Sequence, residues 1–415
     1  MENQKCKGMR DLLPDDMQRF RHIEDAFRDC SSKWGYQEIR TPTLEYLYLF
    51  TATGTLLPSM LGKVYSFLDW DGWSGERVVL RPDGTIPVAR LYIDNLSKQE
   101  TAKLFYVTNI FAFEKTGEGR EKWQCGAEFL GGATPMADAE IILLAEEVMH
   151  RLGLGQVELH ISHAGLVKEA IKELKLDPGE EAKLTSCVLE GDWQALLLAA
   201  DSCQLSAISR ILSLLLSFKG KSSGFLQNVE ALAPQSSPGF NSNLEDFINT
   251  VSLLDSLNCN YEIDIKAIRG FEYYTGICFQ FFAEGNKIGS GGRYDNLIPL
   301  MSGRGIPACG FALYIEPILS LIADSCQLSA VKESGVLIKA EELTQEVAKT
   351  CFTLAQSLRT SGHIAELDFA GREGSEYRWT ISVSGRKPSP FTLLDHKQEQ
   401  RRNVSSIAEV LNYIK

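Results

Sequence analysis

Charged and aromatic side chains gather at places where a strand should meet a turn or a helix. The densest is Ile268 to Asp295, IRGFEYYTGICFQFFAEGNKIGSGGRYD. After Arg269, the residues Phe271, Tyr273, Thr275 and Ile277 alternate with Glu272, Tyr274, Gly276 and Cys278, so this half reads as a strand. Glu284-Gly285-Asn286 has turn chemistry, and a hairpin partner should follow from about Lys287. Gly289, Gly291 and Gly292 then lead into Arg293-Tyr294-Asp295. Glycines at that density let a backbone pass close to a neighbour and take positive φ. Neither a GxGxxG pattern nor a Gly-Lys-Ser/Thr end is present, which excludes a phosphate loop. An Arg and tyrosines on one strand, facing Gly-Gly-Arg-Tyr-Asp on the next, would line a polar pocket across a sheet. An ordinary hairpin with a glycine-rich turn is the plainer reading, and periodicity alone favours it.

Two further groups have chemistry in their spacing. In GERVVLRPDGTIPVARL, a short strand Val78-Val79-Leu80 breaks at Pro82-Asp83-Gly84 and a helix begins near Thr85, so Arg81, Asp83 and Thr85 cluster at a strand end. Asp83 in that position also suits a helix cap. Gln124 and Glu128 lie four apart in a strand and share a face, either a polar site or a solvated sheet surface. His160 and His163 are three apart in the strand QVELHISH, which sends them to opposite faces and argues against a metal pair.

The elements that must position these groups run through the whole chain. Asp15 to about Trp34 is helical, with Ile23, Ala26, Phe27 and Cys30 on one face and Gly35 as its stop. YQEIRTPTLEY follows as a strand with Pro42 at an edge or kink. Residues 104 to 131 read as strand, polar loop and strand, and ADAEIILLAEEVMHR is an amphipathic helix. Residues 164 to about 258 are helix-rich, which predicts a helical insertion before the glycine-rich hairpin. From 332 to 415 strands and helices alternate: GVLIKA, a long helix, HIAELDF, TISVSG, PFTLLD and a closing helix, a pattern for a separate small α/β domain. The octapeptide ADSCQLSA occurs twice, at Ala200–Ala207 and Ala323–Ala330, and no function attaches to it.

Bulk properties bound the class. At 415 residues with 44% hydrophobic and 23% charged content, the chain should hold two or three globular domains. It has no apolar run long enough to span a bilayer and no signal-peptide core, which predicts a cytoplasmic protein. The ten cysteines contain no C-x-x-C pair and read as reduced side chains, with no metal or cofactor expected. A net charge of -12 argues against life on nucleic acid, where phosphate neutralisation supplies much of the affinity.

RGFEYYTG and GGRYDNL resemble the two histidine-recognition motifs of histidyl-tRNA synthetases, which are class II aminoacyl-tRNA synthetases. The same motifs resemble a related family, the regulatory subunits of ATP phosphoribosyltransferase, synthetase-like proteins of histidine biosynthesis that do not aminoacylate. The resemblance covers nearly the whole chain. It implies an α+β fold: a class II antiparallel sheet flanked by helices over residues 1–331, a helical insertion about 164–258, and an anticodon-binding-like α/β domain at 332–415. The helix, glycine and strand before Tyr46 match class II motif 1, which implies a dimer.

The resemblance also assigns residues. Asp83 and Thr85 match the pair that holds the amino group of histidine, with Asp where the synthetase usually has Glu. Gln124 and Arg269 suit the carboxylate, Glu128 and Tyr274 suit the imidazole, and Tyr273 belongs to the same histidine-binding set. Where motif 2 of the synthetase carries an ATP-binding arginine in Phe-Arg-x-Glu, this chain reads Phe111-Ala112-Phe113-Glu114. Where motif 3 ends in Glu-Arg, it reads Glu316-Pro317. A kept amino-acid pocket beside two lost arginines implies a regulatory subunit without catalysis, partnered by a short-form ATP phosphoribosyltransferase and sensing L-histidine. An active histidyl-tRNA synthetase, or a non-catalytic tRNA-binding paralogue, is the alternative.

Overall fold

In a computed structural model the described residues are 5–54, 56, 58–70, 75–113, 119–133, 135–202, 206–232, 237–267, 273–322, 335–342, 344–368, 371, 374, 376–386 and 388–414. The chain divides into two compact units, Met1–Ser325 and Cys326–Lys415.

The first unit is built on an eight-stranded sheet. Its strands are β1 (Gln37–Glu38), β5 (Ala102–Phe111), β6 (Glu121–Leu130), β7 (Glu158–His163), β8 (Glu262–Ile263), β9 (Ile277–Ala283), β10 (Asn286–Arg293) and β11 (Ala308–Tyr314). They lie in the order β1-β5-β6-β11-β10-β9-β7-β8. Only the outer pairs β1–β5 and β7–β8 are parallel; the middle of the sheet is antiparallel. A small antiparallel sheet, β2 (Leu44–Tyr46), β4 (Gly75–Leu80) and β3 (Ser66–Trp70), stands beside it.

The long helices α1 (Pro14–Lys33) and α4 (Met136–Arg151) share a core with one face of the large sheet. The predicted stripe Ile23, Ala26, Phe27 and Cys30 is buried there, and Phe27 meets Phe105 and Phe311 edge-on. Gly35 takes φ +83°, the left-handed stop expected after α1. Alternate residues of the same strands, Leu104, Tyr106 and Leu130, join a second core with α2 (Leu47–Ala52), α3 (Thr85–Leu91) and α11 (Leu297–Ser302). Sheet residues are thus buried on both faces, and a polar group there must find partners. Six helices, α5 (Ala164–Glu173), α6 (Pro178–Leu189), α7 (Trp193–Ser202), α8 (Ser206–Ser217), α9 (Ser223–Ala231) and α10 (Pro238–Ser256), lie between β7 and β8.

Three expectations need correction. YQEIRTPTLEY is not one strand: the chain leaves β1 before Pro42 and re-enters as β2 in the other sheet, because a proline lacks the N–H a continuous ladder needs. Of the strand expected from Phe271, Phe271 and Glu272 lie outside the described residues, and the described part begins only at Ile277. Tyr273–Gly276 is irregular and held outside any ladder, with Thr275 N donating to Arg293 O at 2.7 Å and Asp295 N donating to Thr275 Oγ1 at 2.9 Å. Finally, the glycines 289, 291 and 292 form no turn and none takes positive φ; all three lie inside β10. The turn is where its residue chemistry placed it, at Glu284-Gly285, with φ +50° and +75°, the form that matches strand twist.

The second unit carries a five-stranded sheet in the order β13-β12-β14-β15-β16: β12 (Val336–Ala340), β13 (Ala365–Leu367), β14 (Trp379–Val383), β15 (Phe391–Asp395) and β16 (Gln400–Val404). β12 runs parallel to β13 and β14, and α13 (Gln345–Thr360) and α14 (Ile407–Ile414) share its core. The edge strand β16, QRRNV, has no apolar alternation, so the sequence did not announce it. The second copy of ADSCQLSA lies outside the described residues.

Candidate amino-acid-binding site

The site lies on the face of the large sheet away from α1 and α4. On β6 that face shows Gln124, Gly126 and Glu128. Opposite them on β5 stand Thr108, Tyr106 and Leu104, and on β11 Tyr314, Ala312 and Gly310. Small residues make the hollow. A Cβ on Gly126 would sit 2.3 Å from the Tyr106 hydroxyl, and one on Gly310 would sit 1.8 Å from Glu128 Oε2. The result is a cavity of about 560 Å³ walled by Asp83, Thr85, Gln124, Tyr273, Tyr274, Ser290, Tyr294, Tyr314 and Ala112, among others.

Glu128 is the centre of its hydrogen bonding and is 1% exposed. Thr85 Oγ1 donates to Oε1 at 2.7 Å and Tyr106 OH at 3.2 Å; Tyr294 OH donates to Oε2. Gln124 Nε2 donates to the Tyr106 hydroxyl at 3.4 Å. Burial pushes the Glu128 carboxyl up to about 8, and the charge of Asp83 adds to this, while the hydroxyls of Tyr294, Thr85 and Tyr106 oppose it. Burial also raises Asp83, against backbone N–H groups that hold it down. Its Oδ1 accepts from Ile86 N at 2.9 Å, so Asp83 is both a cap of α3 and a wall of the cavity. Tyr106, Tyr273, Tyr274 and Tyr294 are pushed far above the usual phenol range by burial and stay neutral donors.

The aromatic wall is continuous. Tyr273 packs on Tyr294 with centroids 4.9 Å apart and on Tyr274 edge-on at 5.4 Å. The Tyr273 hydroxyl is buried and makes no hydrogen bond among the described residues. Two carboxyl groups, an orphaned hydroxyl and an aromatic wall suit a small polar ligand carrying protonated nitrogen and an aromatic ring.

Of the residues singled out from sequence, the structure brings Asp83, Thr85, Gln124, Glu128, Tyr273 and Tyr274 together, and Arg269 lies outside the described residues. Arg81 is not part of the cavity. It is buried and spent on the Asn109, Thr41 and Pro42 carbonyls. The arginine of GGRYD is spent too: Arg293 pairs with buried Asp138 of α4 at 2.8 Å and donates to Gly132 O. Ala112 lines the cavity, while Pro317 lines a neighbouring one of about 790 Å³ that shares Ile110, Gln124, Lys287 and Tyr314 with it. Glu316 accepts from Trp123 N at 2.8 Å. His163 is buried as the cap of α5, held neutral by burial, and His160 stands near Glu262 and Asp264, both of which pair with Lys219.

The histidyl-tRNA synthetase family model matches residues 8–318. A curated ATP phosphoribosyltransferase regulatory subunit of Dehalococcoides mccartyi is 45% identical over 410 residues, 98% of both chains. The chain belongs to the ATP phosphoribosyltransferase regulatory-subunit family. A histidine–tRNA ligase of Methanocaldococcus jannaschii is 32% identical over 89% of this chain and 87% of its own. Among solved structures, an ATP phosphoribosyltransferase regulatory subunit/histidyl-tRNA synthetase from Bacillus halodurans aligns with a TM-score of 0.79 at 25% identity, covering 93% of this chain and 99% of its own. The histidyl-tRNA synthetase of Nostoc sp. PCC 7120 shares the fold at a TM-score of 0.76 and 18% identity, over 100% of this chain and 99% of its own. The α+β, class II synthetase-like reading therefore holds.

In this regulatory-subunit family member the sequence left two glutamate partners unassigned, Tyr106 and Tyr294. Tyr106 had a faint signal in Gly126, which leaves a gap between Gln124 and Glu128 that a facing side chain must fill. Tyr294 stood next to the motif arginine, and its pairing with Glu128 spans the fold.

Proposed function

We propose that this chain is a non-catalytic regulatory subunit that binds L-histidine and controls a short-form ATP phosphoribosyltransferase at the first step of histidine biosynthesis. One observation supports the reading: a cavity roomy enough for an amino acid and lined by Asp83, Thr85 and Gln124, beside Ala112 and Pro317, which offer no charge to a triphosphate. Asp83 and Thr85 take the ligand's ammonium, Gln124 and Arg269 its carboxylate, and Glu128 with Tyr273 and Tyr274 the imidazole end. The setting is cytoplasmic; among the described residues no helix is long and apolar enough to cross a membrane.

The chain also works as a dimer through its class II core. Leu44, Tyr46, Phe67, Leu68 and Trp70 of the small sheet are exposed, Trp70 by 67%, and such an apolar surface calls for a partner. An active histidine–tRNA ligase is the competing reading, favoured by the presence of an α/β second unit. The net charge of -12 speaks against tRNA as a ligand.

The test is reconstitution. Mixed with a purified short catalytic subunit, the chain is expected to co-elute with it and raise its rate of phosphoribosyl transfer. Separate elution with an unchanged rate would end the regulatory reading.

A further inference from the structure

Two neighbours in sequence, Tyr273 and Tyr274, both line the cavity. Strand backbone cannot achieve that, because consecutive side chains of a strand point to opposite faces. The chain must therefore leave the β9–β10 ladder before it reaches them. Cys278 with Gly292 is the last pair of that ladder, and Tyr273–Gly276 lies beyond it. A segment outside a ladder gives up the regular hydrogen bonds that would fix it. Something else must hold two aromatic rings at the wall.

Thr275 does this with its own side chain. Three more steps of the Cys278–Gly292 register would set Thr275 opposite Asp295. Instead, Thr275 N donates to Arg293 O at 2.7 Å, and the Thr275 hydroxyl lies 3.3 Å from the same carbonyl. Asp295 N then donates to Thr275 Oγ1 at 2.9 Å, so a hydroxyl stands in for a main-chain acceptor. Asp295 is fixed in turn to β11, its carboxylate accepting from Ala308 N at 2.9 Å. On the other side of the segment, Ala164 N of α5 donates to Gly276 O at 2.8 Å. The threonine joins the two motif segments where their rings meet. Tyr273 lies on Tyr294, the residue before Asp295, and Tyr294 carries the bond to Glu128.

We propose that Thr275 is a positioning residue of the amino-acid site: its hydroxyl sets where Tyr273 and Tyr274 stand against Tyr294, and through them how tightly the ligand is held. This rests on the amino-acid reading above and adds to it a residue that acts through the wall. Without the hydroxyl, Asp295 N loses its acceptor and the two segments lose their side-chain link.

Calorimetric titration of the full chain with L-histidine, at a temperature where each variant is folded, reads it out. Thr275→Val keeps the shape and loses the hydroxyl, and should weaken histidine binding by about 10-fold. Thr275→Ser keeps the hydroxyl and should bind as wild type does. Thr380→Val is the control: it removes a buried, hydrogen-bonded hydroxyl from the second unit and should leave histidine affinity unchanged. Thr275→Val binding as tightly as wild type, Thr275→Ser binding as weakly as Thr275→Val, or an equal loss in Thr380→Val overturns the proposal and leaves the cavity reading standing. Should Thr275→Val fail to fold, wild type decides: saturating histidine should slow hydrogen exchange of the Asp295 amide, and an unchanged rate overturns the proposal. A wild-type chain that binds no histidine overturns the cavity reading and this proposal with it.

Discussion

The purified chain, given histidine, ATP, Mg²⁺ and labelled pyrophosphate, is expected to exchange no label into ATP above background. In a synthetase the motif 2 and motif 3 arginines meet the phosphates as charge accumulates there, and fixed guanidinium groups stabilise that charge. The resemblance sets Ala112 and Pro317 of this chain at the matching places. Each missing charge-assisted bond is worth about 1.5–3 kcal/mol. Losing two removes roughly 3–6 kcal/mol from the barrier's stabilisation, on the order of 10²–10⁴ in rate. Ala112 has nothing beyond its Cβ to compensate, and Pro317 sits in the first turn of α12 (Ile315–Leu321), where a proline is tolerated but offers no donor. Vigorous histidine-dependent exchange would return the chain to the synthetases.

The second large effect centres on Glu128. Glu128→Ala should weaken histidine binding by about 10–150-fold, the worth of one hydrogen bond to a charged group, and leave Tyr294 and Tyr106 without their acceptor. Glu128→Gln separates charge from shape. Wild-type Glu128 is raised from 4.5 to about 8 in the folded chain, so the folded state holds a proton that the unfolded state has released. Stability from this group is complete below the unfolded value of 4.5 and falls as pH rises through about 8. An amide cannot ionise, so Glu128→Gln should flatten the decline between those limits by a few kcal/mol, the scale of a pKa shift of this size. Denaturant midpoints measured from pH 5 to pH 8.5 decide it; parallel slopes in the two proteins would mean that Glu128 is not the buried acid described here.

Much of this site was legible before any coordinates. Spacing placed Gln124 and Glu128 on one face, and the Pro-Asp-Gly break placed Asp83 and Thr85 at the start of a helix, because both inferences need only local geometry. What escaped was set by partners far along the chain. The pairing of Tyr294 with Glu128 crosses 166 residues, and no period in either segment encodes it. Arg293 looked as available as Arg269 until Asp138 of α4 proved to be its partner. Lys287, which lines the cavity, was hidden by parity: simple alternation puts it on the opposite face from Ser290, and only the bulge at Ile288 reverses that. The strand assigned to Tyr273–Gly276 failed for a related reason. Aromatic alternation there serves the pocket wall, with Tyr273 packed on Tyr294, instead of a ladder.

The central claim is that histidine acts on a partner enzyme through this chain's cavity. Binding alone shifts no equilibrium; histidine must favour one state of the complex over another. The direct measurement is the rate of a short-form ATP phosphoribosyltransferase across a histidine titration, taken alone, with the wild-type chain, and with Glu128→Ala. Histidine is expected to inhibit the complex with the wild-type chain, to leave the catalytic subunit alone unaffected, and to act on the Glu128→Ala complex only at concentrations about 10–150-fold higher. Equal inhibition of the catalytic subunit with and without this chain would contradict the account.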